Sequence, residues 1–160
     1  MELELVSEGP NHRFGGIGNV LISVYWGAPD AAALEDRVPW VERMRAEYGQ
    51  GGLLVWVCAD ASGSLPDAAF RQTSRAQSER YEGTIVFSAS VIEGGDLLHG
   101  LVRTFLRGLA VVASRRVSTA FFDDEASALA WVEARAKPHG GPDVATLRNA
   151  LETLRRGRLG

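Results

Sequence analysis

The chain has 160 residues, a length that buries roughly 70% of the unfolded surface in one domain without metal or disulfide staples. Apolar residues make up 46% of it, a globular rather than a disordered composition. A formal charge of −3 gives no sign of the clustered basic face that a duplex binder needs, so nucleic acid is not an expected partner.

In chain order, ELELVS (2–7) alternates polar and apolar residues as a half-exposed strand does. A turn at EGPN and a buried strand at GNVLISVYW (18–26) follow, and the two strands read as an opening hairpin. Residues 29–49 are helical, capped by Asp30 and stopped by Gly49, with a kink or break at Pro39, which removes a backbone donor. GLLVWVCA (52–59) is apolar throughout, as a central strand covered on both faces would be. A polar helix over 65–83, a buried strand over 84–90, a helix over 96–113, a strand over 115–122 and a helix over 123–136 complete the alternation. This predicts an α/β fold: a mixed, largely parallel sheet of four to five strands with right-handed crossover helices. Residues 1–137 form this domain. Residues 138–160 are a Pro/Gly linker and a short C-terminal helix, whose stripe of Val144, Leu147, Leu151 and Leu154 packs on the domain or on a second copy of the chain.

The stretch CADASGSLPD (58–67) follows the central strand. Ser64, Pro66 and Asp67 fit the start of a helix, with Ser64 as the cap. Asp60, Ser62 and Ser64 also fall at the carboxyl end of a strand, where open α/β sheets place their ligand crevice. Asp60 is no receiver-type phospho-acceptor, because no acids end the 18–26 strand and the only lysine, Lys137, lies beyond the last long helix. GGIG (15–18) precedes a strand instead of opening a helix, so it reads as a hairpin or bulge and not as a phosphate loop. His12, His99 and His139 have no ligand spacing, and no metal or cofactor is expected. Asp96 and the run Asp123-Asp124-Glu125 read as helix caps. Arg71 and Arg75 lie on the polar side of the 65–83 helix, with Gln72, Thr73, Ser74, Gln77 and Ser78. That helix is poor in apolar residues and is the best candidate face for a partner.

Cys58 cannot bridge internally and reads as a buried, inert thiol of a reducing compartment. The acidic start lacks the pattern of a secretory signal, and no apolar run approaches the ~20 residues that span a bilayer. A cytoplasmic location without integral membrane association is the expectation.

FFDDEASALAWVEA, a strand ending in aromatics, an acidic cap and an Ala/Leu/Trp helix, resembles the closing segment of SpoIIAA-like domains of the STAS-like group. The element order over residues 2–136 fits as well. The resemblance implies a mixed sheet with helices mainly on one face, and a non-enzymatic regulatory or binding role. In the anti-anti-sigma members a serine of an Asp-Ser-Ser-Gly stretch is phosphorylated; the nearest positions here are Asp60, Ser62, Gly63 and Ser64, with Ser62 and Ser64 as the phosphorylation candidates. The leading expectation is therefore a protein-interaction module binding through Asp60, Ser62, Ser64, Arg71 and Arg75. One alternative is a carrier of a small apolar ligand or lipid lined by Tyr25, Trp26, Trp40, Leu101 and Phe105. The other is an enzyme built on Asp60, Ser62, Ser88, Ser90 and Glu93.

Overall fold

The strands expected at 18–26, 52–59 and 84–90 are adjacent in the middle of one sheet. The computed structural model describes residues 1–58, 66–93 and 117–157. Among these, β1 (Glu4–Gly9), β2 (His12–Ile17), β3 (Val20–Tyr25), β4 (Gly51–Val57), β5 (Ile85–Ile92) and β6 (Ser118–Phe122) form a 6-stranded sheet in sequence order. The pairs β1–β2 and β2–β3 are antiparallel, and β3 through β6 run parallel. The helices are α1 (Ala31–Asp36), α2 (Val38–Tyr48), α3 (Ala68–Arg80), α4 (Glu125–Ala136) and α5 (Val144–Arg156). The helix expected over 96–113 lies outside the described residues.

The expected strand count is corrected by β2. Residues 2–7 do not pair with 18–26; β2 lies between them, so the opening unit is a three-stranded meander. Its glycines hid it. A Cβ on Gly16 would sit 1.9 Å from Trp40 Nε1, and one on Gly15 would sit 2.7 Å from the Leu3 side chain and 3.0 Å from that of Leu154. Both glycines are strand residues that let a side chain approach the backbone, one on each face of the sheet. The turn itself is Gly18-Asn19. Gly18 has φ +58° and Asn19 a negative φ, the pattern of a type II′ hairpin joining the paired residues Ile17 and Val20.

Pro39 does divide the first long helix: α1 ends at Asp36, α2 starts at Val38, and Gly49, with φ +79°, ends α2. Asp30 caps α1, accepting from Ala32 N at 2.8 Å. The cap of α3 is Asp67, not Ser64: its carboxylate accepts from Phe70 N at 2.8 Å, and α3 begins only at Ala68. Asp124 and Asp143 cap α4 and α5 in the same way.

Both faces of the sheet are covered, which corrects the one-sided arrangement expected from the resemblance. Strand order follows sequence, so right-handed crossovers from β3 to β4 and from β4 to β5 pass over the same face. That front face carries α1, α2 and the end of α3 against Phe14, Leu21 and Tyr25. The helices after β6 are not crossovers, and they fold onto the back. There Ala128, Leu129, Val132, Leu147, Leu151 and Leu154 pack on Ile22, Val24, Leu54, Trp56 and Phe87. The leucines of α5 are thus fully buried against the chain's own sheet.

Candidate functional site

Buried and half-buried polar groups gather on the front face around the carboxyl end of β3. The register sets His12 opposite Tyr25, and Tyr25 opposite Val57. Their side chains share a face, because each follows strand alternation from the buried Phe14–Ser23 pair. His12 stacks at a tilt on Phe14, with ring centroids 4.9 Å apart, and Phe14 meets Tyr25 edge-on at 5.4 Å.

Ser7, His12 and Asp36 form a hydrogen-bonded chain. Ser7 Oγ donates to Asp36 Oδ2 at 2.8 Å and lies 2.8 Å from His12 Nε2. With the serine proton on Asp36, the histidine must be the donor. Burial pushes the His12 pKa below its ordinary value, partly opposed by Asp30, Asp36 and Glu8, so the neutral ring is favoured. A nucleophilic triad needs histidine in the middle, accepting the serine proton. Here serine is in the middle and is itself buried, so the set ties β1, β2 and α1 together without activating a nucleophile.

Next to it, Arg37 at the α1–α2 junction is partly buried. Its Nε donates to Gln77 Oε1 at 2.7 Å, and Gln77 Nε2 donates to the Leu34 carbonyl at 2.7 Å. Burial lowers the Arg37 pKa, partly opposed by the nearby Tyr25 and Tyr81. Desolvation raises that of Tyr25, which stays protonated. Tyr81 donates to Glu42 Oε1 at 3.0 Å, a carboxylate shared with Arg80 at 3.1 Å.

Of the residues expected to bind, Arg71 and Arg75 are exposed, one turn apart on α3. Arg75 pairs only loosely with Glu79, at 3.6 Å. Asp60, Ser62 and Ser64 lie outside the described residues. Gln77, grouped with the polar face in the sequence, is on the inner side and only 6% exposed. The expected apolar pocket is divided by the sheet: Tyr25 and Trp40 belong to the front cluster, Trp26 to the back, and Leu101 and Phe105 lie outside the described residues. The enzyme set is also divided. Ser88 and Ser90 alternate with the back-facing Phe87, Ala89 and Val91, whereas Glu93 reaches Arg155 of the back helix α5 at 2.9 Å. Cys58 is half-buried against the back cluster, less enclosed than expected. His139 sits exposed in a 3-10 turn and His99 is outside the described residues. No described group of three or more His, Cys, Asp or Glu side chains could hold a metal ion, and no described helix is long and apolar enough to cross a membrane.

The His12–Ser7–Asp36 chain and the Gln77 clamp escaped the sequence reading because each partner comes from a different element. A serine and a histidine 5 residues apart across a tight turn are the one local signal.

No family model matches the chain, and no curated protein does. Among solved structures it is similar to an uncharacterised protein of the DUF3478 family with a SpoIIAA-like fold from Shewanella loihica PV-4. Identity is 15% and the TM-score 0.55, over 79% of this chain and 97% of that one. Together with the mixed sheet, this shows a SpoIIAA-like fold.

Proposed function

We propose that the chain is a non-enzymatic, cytoplasmic regulatory module that meets another protein through the outward face of α3. The observation that carries this reading is how little of α3 is used internally. Of its 13 residues, only Phe70 and Gln77 are buried, and the helix packs on α1 and not mainly on the sheet. Arg71 and Arg75 stand on the outer side, and the segment with Asp60, Ser62 and Ser64 precedes the helix in sequence. The inverted order of Ser7, His12 and Asp36 and the separation of Glu93 from Ser88 and Ser90 support a binding role over catalysis.

Affinity purification with the wild-type chain and with the Arg71→Ala/Arg75→Ala pair tests it, using Arg148→Ala on the opposite face as a control. A specific protein should be lost with the double variant alone, and should bind the purified wild-type chain directly. Both variants should melt within about 2 °C of wild type, as surface changes do. Identical protein profiles for all three chains would remove α3 as the docking face.

A further inference from the structure

Buried or half-buried cations are ordinarily paired, because a charge taken out of water without a counter-charge costs free energy. Arg13, whose side chain is 18% exposed, follows this rule, with its Nε 3.3 Å from Glu8. Arg37 is more enclosed than its exposed neighbours on α2, yet no described carboxylate reaches it. Asp36, the adjacent residue, turns its carboxylate to Ser7 instead. The guanidinium is held through Nε alone, by an amide that is itself fixed to Leu34. This leaves the Nη1/Nη2 edge, the pair of nitrogens that matches carboxylate and phosphate oxygens, pre-oriented and without an acid.

We propose that Arg37 is the receptor for a single oxyanion, carboxylate or phosphate, of a small ligand that enters between the α1–α2 junction and the inner side of α3. The site lies at the carboxyl ends of parallel strands, where open α/β sheets bind ligands. The protonated Tyr25 hydroxyl, close enough to feel the Arg37 charge, is a second neutral donor on the same face. This inference goes beyond docking at α3 and does not require it, since Arg71 and Arg75 are no part of the receptor.

The test is site-resolved NMR of the arginine Nε–H groups in the full chain. Sodium phosphate or sodium acetate is titrated against sodium chloride at matched ionic strength. The Arg37 signal should move saturably in the millimolar range with at least one of the two anions, and which anion saturates it tells phosphate from carboxylate. Gln77→Ala, which keeps the charge but releases its orientation, should weaken the response at least about threefold, and Arg37→Gln should remove the signal, which assigns it. Arg71→Ala/Arg75→Ala should leave it unchanged, which separates this site from the proposed docking face. An Arg37 signal that does not saturate, or that moves in step with Arg71 and Arg75, overturns the proposal, whether or not Arg37→Gln folds.

Discussion

Gln77 grips two parts of the molecule with one amide: its Oε1 takes the Arg37 Nε–H, and its Nε2 donates to the Leu34 carbonyl, each at 2.7 Å. α3 buries only one large apolar side chain besides Tyr81 at its end, so this clamp carries an unusual share of its attachment to α1. Gln77→Ala should therefore lower stability by about 2–3 kcal/mol, because a carbonyl and a guanidinium are both left without their partner in a buried place. Urea unfolding measures it, and hydrogen exchange should show α3 opening before the sheet. A loss below about 0.5 kcal/mol, the level of a surface change, would mean that Phe70 and Tyr81 hold the helix alone.

Gly15 and Gly16 look alike in sequence and should behave differently. At Gly16 an added methyl meets the rigid indole of Trp40, itself 5% exposed and wedged between α2 and the sheet. At Gly15 it meets the ends of two leucine side chains, which can turn. Gly16→Ala should cost about 3 kcal/mol or more by overpacking, and Gly15→Ala about 1 kcal/mol. Thermal unfolding of the pair decides it; equal shifts would show that Trp40 moves as readily as a leucine methyl.

The parts of this fold that were legible are those whose signal is local. β3 is buried throughout and β4 and β5 have no exposed residue, so all three appear as uncharged runs, and the break at Pro39 needs only a missing N–H. The caps Asp30 and Asp124 follow from the same local chemistry. What stayed hidden depends on distant residues. β2 carries His12, Arg13, Gly15 and Gly16 and looks like a turn, because the reasons for its glycines lie in Trp40 and Leu154. Gln77 reads as solvated until Arg37 and Leu34 are placed beside it. Coverage of the back face depends on where the chain goes after β6, which no hydrophobic period encodes.

Asn19 is the other residue whose role is set at a distance. It is fully buried in the β2–β3 turn, and its Nδ2 donates to the Gln50 carbonyl at 3.1 Å and to the Ala136 carbonyl at 3.2 Å. It thereby joins the turn to the end of α2 and to the end of α4. Asn19→Ala should cost about 2–4 kcal/mol, because two enclosed carbonyls lose their donor. Asn19→Asp should do no better, since a carboxylate brings acceptors to a place that needs donors. Urea midpoints of the two variants test this, and an aspartate variant as stable as wild type would show that water satisfies those carbonyls.

His12 makes a pH dependence that can be assigned to one residue. Burial holds its pKa below the ordinary 6.5, against the opposing fields of Asp30, Asp36 and Glu8. As pH falls through 6.5 the unfolded chain takes up a proton that the folded ring resists. Stability from this residue is therefore complete above that pH and declines below it, until the folded ring titrates too. The helix caps act in a separate window. Asp124 and Asp143 are held below the ordinary 3.8 by hydrogen bonds from Ser127 and Thr146, so their contribution is lost only as pH falls past that value. His12→Gln can keep an N–H donor toward Ser7 but does not titrate. The unfolding midpoint of wild type should fall between pH 6.5 and about 5 more steeply than that of the variant, with the two curves parallel above pH 7. Parallel curves across the whole range would mean that the carboxylates around His12 offset its burial, and that the Ser7–His12–Asp36 chain tolerates a charged ring.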